Sequence, residues 1–307
     1  MITRISTKGM SHDQWLEARR KSIGGSDAGA ICGMNPYSSA YTVYADKLML
    51  IPPAEDNEAM RQGRDLEEYV ARRFCEEKGK RVKRDHSIIY NTDFPYSHAD
   101  IDRLVVGEDA GLECKTASPM KYSAYLNGEI PDHYYVQCMH YMMVTGRAKW
   151  YLAVLVFQRG LFIFEINRND EEIKNLAEIE ADFWENHVLK KTAPPPTGDK
   201  ATTDAIGVIH PQSDGTEIDL LPVNSEIELY MQLKAQRADL DALIDKQCNI
   251  IKEYMNEAER GSCGDYRVTW KTQERSTFDK KRFMQEHPEI DLSGYMKKST
   301  TRPFKIT

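Results

Sequence analysis

Residues 111–118 read GLECKTAS, which sets Glu113 and Lys115 two apart among small and apolar neighbours. Side chains alternate along a strand, so this acid and this base share one face while Leu112 and Cys114 take the other. The ordinary reading is a surface ion pair of little worth, and the chain holds four acid-x-Lys triplets, at Glu76/Lys78, Glu113/Lys115, Glu172/Lys174 and Asp279/Lys281. Three of these lie in strongly charged, helix-like surroundings. Glu113/Lys115 instead follows SHADIDRLVVGEDAG, a strand pattern that closes in a Gly-bounded acidic turn and so predicts a β-hairpin. The first strand brings Asp102 alongside Glu113. Two partly buried carboxylates repel each other unless a cation lies between them, and carboxylate oxygens suit a hard ion such as Mg²⁺. An Asp followed by Glu-x-Lys on the next strand therefore points to metal-dependent phosphodiester hydrolysis, with Lys115 orienting or deprotonating the attacking water.

Other segments must frame that pair. SHDQWLEARR starts a helix capped by Ser11, and KSIGGSDAGAICG follows, in which Gly24 and Gly25 loosen the backbone and Ser26 caps a helix from Asp27. A helix start with outward amides, the Ser26 hydroxyl and Arg19 nearby makes an anion site; the alternative is a Gly-rich turn with its cap. DNEAMRQGRDLEEYVARRFCEEKG predicts a helix with Leu66, Val70 and Phe74 on one stripe and Gly79 as its stop. Gly63 in its interior marks close approach by another element on the face of Glu67, which makes Glu67 either a third carboxylate at the metal or a solvated acid. PDHYYVQCMHYMMVTG is a helix with Asp132 as cap and Gly146 as stop. Its Tyr134, Cys138, Tyr141 and Met142 form a packing stripe. Gln137 either bonds Lys115 or the water, or is a surface amide, and His140 fits a packing histidine better than a metal ligand. WYLAVLVF and LFIFEIN, joined by QRG, predict an apolar hairpin at the sheet centre, and NDEEIKNLAEIEADFWENHVLKK a long amphipathic helix.

Length and composition bound these readings. The 307 residues allow one large domain with additions, or two. Without an apolar run of 18 residues or a cationic-apolar leader at MITRISTKGM, a cytosolic protein with no membrane association is expected. Six cysteines without a C-x-x-C spacing fit reduced thiols rather than zinc or disulfides. The net charge of −7 argues against nonspecific coating of nucleic acid but leaves room for a local basic groove. TAPPPTG interrupts helical continuity, which divides the chain into a core at 1–192, a linker at 193–222, a helical arm at 223–261 and a basic tail at 262–307. Residues 199–261 carry 6 Lys/Arg against 13 Asp/Glu, whereas 264–307 carry 10 against 6. The arm shows Leu233, Leu240, Leu243 and Ile244 on a stripe, as either a hairpin arm or a partner-binding helix. The tail reads as short strands flanking a helix near DKKRFMQEHP.

The order Trp15-x3-Arg19-x6-Ser26, Gly63-x3-Glu67, Asp102, Glu113-Cys114-Lys115 and YYVQCMHYMMVTG resembles the lambda-exonuclease type of viral recombination nuclease, the YqaJ-like family, over residues 11–190. The resemblance implies an α/β PD-(D/E)xK core, a central mixed sheet flanked by helices, that degrades the 5′-ended strand of linear duplex DNA. It assigns Asp102 and Glu113 to metal binding with Glu67 assisting and the Cys114 backbone carbonyl as a further ligand. Two Mg²⁺ ions are implied, with Mn²⁺ as a substitute. Lys115 becomes the base or water-orienting cation, Gln137 its support, and Arg19 and Ser26 the grip on the 5′-phosphate. The implied partners are DNA ends, other copies in a homo-oligomer such as a ring trimer, and a single-strand annealing protein that receives the 3′ strand. This chain departs from the family pattern at Ile101-Asp102, where Pro-Asp is usual, which leaves Asp100 as a rival to Asp102; a second Gln near Gln137 is absent. The competing readings are an endonuclease of the same superfamily and a non-catalytic DNA-end-binding scaffold.

Overall fold

The structure, a computed structural model, describes residues 1–296 and 301–306. The chain runs β1 (Ile2–Ser6), α1 (His12–Arg20), α2 (Gly25–Ile31), α3 (Ala40–Lys47), α4 (Glu58–Lys78), β2 (Val82–Lys83), β3 (Ser87–Asn91), β4 (Phe94–Asp100), β5 (Arg103–Val105) and β6 (Ala110–Ala117). It continues through α5 (Tyr122–Leu126), α6 (Asp132–Thr145), β7 (Lys149–Val156), β8 (Gly160–Asn167), α7 (Asp170–Phe183), α8 (Lys200–Ile209), α9 (Asn224–Met255), β9 (Arg260–Cys263), β10 (Tyr266–Thr269) and α10 (Lys280–Glu286). Residues Met1–Pro211 form one compact unit and Gln212–Thr307 a second.

In the first unit, β2-β5-β6-β7-β8 make a mixed sheet in which only β6 and β7 run parallel. A parallel pair needs a crossover, and α6 supplies it. The continuous apolar run of β7 reflects burial on both faces. Trp150, Leu152 and Val154 point into the cluster under α6 with Cys138 and Met142, while Tyr151 and Ala153 meet Val70 and Phe74 of α4 on the other side. Helices α4 and α6 each end where a glycine adopts positive φ, at Gly79 and Gly146. The β7–β8 hairpin forms as the sequence predicts but lies at one end of the sheet, not its centre. With β6 already on the inner side of β7, β8 can pair only on the outside, and most of its residues stay half-buried.

A second sheet, β1-β3-β4, is antiparallel and packs its Ile89 and Ala99 against the α6 cluster. The single strand expected through SHADIDRLVV is thus broken: β4 belongs to this sheet, β5 to the mixed one, and Ile101-Asp102 forms the joint. Helix α8 falls within the first unit and is tied to the start of α3 by the Thr202 and Ser39 hydroxyls, 2.7 Å apart, although it lies in the stretch assigned from composition to a linker. In the second unit α9 keeps Leu233, Leu240, Leu243 and Ile244 exposed, and β9 and β10 form an antiparallel hairpin ahead of α10. Of the basic tail, residues 297–300 and Thr307 lie outside the described residues.

Candidate active site

The β5–β6 ladder pairs Leu104 with Gly111 and Arg103 with Leu112. One step further in the same register sets Asp102 opposite Glu113, beyond the end of β5. There the Cys114 N–H has no strand partner on that side and donates to Asp102 Oδ2 at 2.8 Å. Because N–H and C=O of one strand residue project to the same side, the Cys114 carbonyl also faces the gap that β5 leaves. Glu113 and Lys115 project together toward α6, as strand alternation requires. Lys115 Nζ lies 2.6 Å from Glu113 Oε1 and 5.1 Å from the Tyr134 ring centre. Leu112 and Cys114 enter the α4 cluster.

The electrostatics are those of a crowded acid pair. The Asp102 carboxyl is pushed well above its usual range by burial, then by the charges of Glu113 and Glu67. Glu113 is raised by burial, against the pull of Lys115. For Lys115 burial acts to lower the ammonium pKa, but Glu113 and Asp102 outweigh it and the net shift is upward. Glu113 Oε2 is buried and has no hydrogen-bond partner among the described residues. An orphaned carboxylate oxygen beside a second, repelled carboxylate is the donor set that a hard cation satisfies, so the residues fit a divalent ion. Among the described residues no three His, Cys, Asp or Glu side chains form a ready-made metal cage.

The remaining predicted residues sort themselves by contact. Gln137 is buried, and its Nε2 donates to Glu113 Oε1 and to the Tyr141 hydroxyl, each at 2.8 Å. It therefore fixes the acid, rather than Lys115 or a water, and is no surface amide. Glu67, expected as a third carboxylate at the metal, accepts from Arg103 at 2.5 Å and Arg84 at 3.2 Å, while its charge still reaches both Asp102 and Glu113. Asp100, the rival, accepts the Trp15 indole N–H at 2.7 Å. His140 is a satisfied core histidine, bonded to Glu180 at 2.6 Å and to the His98 carbonyl at 2.8 Å.

The anion site differs from its predicted form. Helix α2 starts at Gly25 with Gly24 as cap, and the Gly24 amide is taken by Asp27 at 2.9 Å instead of pointing outward. Ser26 is not the cap; it sits in the first turn, exposed, and accepts from Arg19 Nη2 at 3.0 Å. The Arg19 guanidinium stacks 4.4 Å from the Trp15 ring centre. Helix α6 likewise starts at Asp132, after Pro131 and without a side-chain cap. Gly63 has no tight neighbour: an added Cβ would meet only Thr116 Oγ1, at 3.8 Å. At Gly25 the approach is close, since a Cβ would stand 2.6 Å from Tyr141 Cε1. A cleft of about 400 Å³ gathers Arg19, Ser26, Glu67, Asp100, Asp102, Glu113 and Gln137 on its walls.

Two residues escaped the sequence reading. Tyr141, expected on the packing stripe, stands four residues from Gln137 on a helix, a spacing that signals a shared face. Arg103, buried against α4, holds Glu67, Glu68 at 2.8 Å and the Asp102 carbonyl at 2.7 Å; a cation on a strand face opposite Leu112 needs acids on the covering helix, and the Glu67-Glu68 pair was the available clue.

A mixed sheet with a parallel central pair, two carboxylates and a lysine at its broken edge, and helices on both faces constitute the PD-(D/E)xK nuclease fold. The same fold appears in the alkaline exonuclease LHK-Exo of Laribacter hongkongensis, which aligns with a TM-score of 0.50 and 20% identity over 59% of this chain and 94% of that one. LHK-Exo in complex with dAMP aligns at 0.46 and 22%, over 59% and 100%. Residues 14–148 match the YqaJ-like viral recombinase domain. Protein YqaJ of Bacillus subtilis (strain 168) is 35% identical over 286 residues, 92% of this chain and 90% of its own. The chain belongs to the YqaJ-like viral recombinase family.

Among the described residues no helix is long and apolar enough to cross a membrane.

Proposed function

We propose that this protein is a divalent-metal-dependent deoxyribonuclease acting at the ends of linear duplex DNA, degrading the 5′-ended strand and leaving a 3′ single strand for recombination by annealing. The observation that carries the reading is that one cleft gathers Asp102 and Glu113 with Arg19 and Ser26, Glu113 being bonded in turn to Lys115. The likeness to LHK-Exo, an alkaline exonuclease, supports it. Asp102, Glu113 and the Cys114 carbonyl would hold Mg²⁺, or Mn²⁺ in its place, as two ions, with Glu67 assisting from its arginine pair. Bound there, the ions supply Lewis-acid polarisation of the phosphoryl group and neutralise its growing charge.

The chain's own residues do the rest. Water adds to phosphorus as the bond to the 3′-oxygen breaks, and the water's proton ends on that oxygen. Lys115 Nζ, held by Glu113, is placed to orient the attacking water. Gln137 holds Glu113 by Oε1, the oxygen that also bonds Lys115, which leaves Oε2 for the ion. Arg19 and Ser26 bind the terminal phosphate and so select which bond reaches the carboxylates, a gain from positioning rather than from new chemistry. Transfer of the 3′ strand to a single-strand annealing protein, assembly as a homo-oligomer such as a ring trimer, and action in the cytoplasm complete the proposal and rest on the family likeness.

The test is a gel assay with Mg²⁺ on linear duplexes bearing 5′-phosphate or 5′-hydroxyl ends and on a covalently closed circle. Linear DNA should be shortened from its 5′ ends, phosphorylated ends fastest, and the circle should survive; Arg19→Ala should remove the preference for phosphate. Cutting of the closed circle would make the protein an endonuclease, and inertness toward every substrate with Mg²⁺ and Mn²⁺ would leave it a binding scaffold.

A further inference from the structure

We propose that Lys47 is a positioning residue for recognition of the DNA end: by occupying the Asp27 carboxylate it leaves Arg19 without an acidic partner and open to a terminal phosphate. This rests on the reading of Arg19 and Ser26 as the phosphate site.

Lys47 ends α3 with its side chain only 3% exposed. Its ammonium donates to Asp27 Oδ2 at 2.6 Å and to the Arg19 carbonyl at 3.1 Å, and the same Asp27 oxygen takes the Gly24 amide. One buried charge thus joins the end of α1, the Gly24 turn and the start of α2. Consecutive arginines of α1 meet different fates as a result. Arg20 has a carboxylate, donating through Nε and Nη2 to Asp46 Oδ1 at 3.1 and 3.0 Å. Arg19 has none within salt-bridge distance among the described residues, although the charges of Asp27 and Asp100 both feel it.

Each of those acids is already committed, Asp27 to Lys47 and Asp100 to the Trp15 indole. A guanidinium whose nearby acids are held by other donors keeps its charge uncompensated for an incoming phosphate. Stability alone is a poor reason for such a lysine, because a buried ion pair replaced by apolar groups is often neutral or stabilising. Burial acts to raise the Asp27 carboxyl, but Lys47 and then Arg19 outweigh it and hold it at about 2. Without Lys47, the pull of Arg19 and the Gly24 amide bond are what remain on that carboxylate.

The experiment measures kcat/KM on duplexes with 5′-phosphate and 5′-hydroxyl ends for four proteins: unaltered, Lys47→Met, Asp27→Asn, and the two changes combined. Lys47→Met should lower the phosphate preference about tenfold or more, the scale of a lost bond to a charged group, chiefly through KM, with the rate on hydroxyl ends within about twofold. Asp27→Asn should keep the preference, since its amide cannot capture Arg19. The double variant should recover it to within about threefold, a rescue that a purely structural role for Lys47 does not give. If Lys47→Met does not fold, Lys47→Gln, which keeps a donor for the Arg19 carbonyl, takes its place with the same expectation. An unchanged preference in the Lys47 variant, or no recovery in the double variant, would overturn the inference alone. Equal rates on both ends by the unaltered protein would overturn the phosphate-site reading and this inference with it.

Discussion

Replacing Lys115 by Met strips the Glu113–Asp102 pair of its ammonium while keeping most of the side-chain volume. The Lys115–Glu113 contact is 2.6 Å long, with the glutamate side chain 4% exposed and the lysine 23%. Removing one partner of a buried ion pair destabilises by about 3–5 kcal/mol, because the charge left behind is uncompensated. The partial exposure of Lys115, and the Gln137 bond that remains on the same oxygen, place this case at about 3 kcal/mol, the lower end of that range. For a folding unit the size of residues 1–211, that lowers the melting temperature by about 6–12 °C. A divalent cation supplies the missing positive charge, so Mg²⁺ should raise the melting temperature of the variant by more than it raises that of the unaltered protein. At a hundredfold excess over its dissociation constant a ligand stabilises by about 2.7 kcal/mol, enough to return most of the loss. Calorimetry of both proteins with and without Mg²⁺ measures the two differences, and the variant should bind duplex DNA without cleaving it. A Lys115→Met protein that melts with the unaltered one, or that gains no more from Mg²⁺, would refute the claim that this lysine is the countercharge of a cation-binding acid pair. Undiminished cleavage by it would refute the catalytic role.

Two glycines should respond in opposite directions. Gly63→Ala should stabilise by up to about 1 kcal/mol in urea unfolding, since the helix interior favours Ala and the added Cβ meets nothing closer than 3.8 Å. Gly25→Ala should destabilise by about 1–3 kcal/mol as overpacking and slow cleavage, because the Cβ drives against the Tyr141 ring that holds Gln137. Acid should expose the Asp27 clamp: a carboxyl lowered from 3.8 to about 2 by folding adds about 2 kcal/mol of stability that is present above pH 4 and lost as pH falls through about 2. Urea midpoints at pH 5 and near pH 2 should therefore differ by that much more in the unaltered protein than in Asp27→Asn, and equal pH dependence would dismiss the clamp.

The Asp102–Glu113–Lys115 group was legible because two periodicities fix it without tertiary information. Strand alternation alone sets Glu113 beside Lys115, and a short hairpin fixes the register that brings Asp102 opposite Glu113. The helix stops at Gly79 and Gly146 were equally local. The misjudged features all depend on which sheet or face a segment joins. Nothing in SHADIDRLVV signals that the strand changes sheets at Ile101, since an apolar-polar pattern is the same in either. Whether Gln137 faces Glu113 or Lys115 depends on the rotation of α6 over the sheet, and the fate of Glu67 on Arg103 lying under α4. At Gly24-Gly25-Ser26 two cap signals overlap, and the Asp27 carboxylate, held by a lysine twenty residues away, decides between them.

The break at Ile101-Asp102 is also what makes chemistry possible there. Backbone donors inside a sheet are normally closed by the neighbouring strand. Here β5 is reached only after the joint, so the Cys114 N–H finds the Asp102 carboxylate and the facing carbonyl is left to a ligand. The strand before the joint carries the other half of the cleft. Ile23 donates to the Tyr96 carbonyl at 2.7 Å and accepts from the His98 amide at 2.8 Å, which seams the segment leading to Gly24 and Ser26 onto β4. Two residues past His98 that strand ends at Asp100, and two further stands Asp102. The segment of Arg19 and Ser26, through the Ile23 seam, and Asp102 are thus tied to one backbone stretch, across from which Glu113 stands on β6. On the proposed function, a 5′-phosphate held at Arg19 and Ser26 would have the bond it presents to the acid pair set by this spacing, and dependence on a DNA end would follow from the backbone.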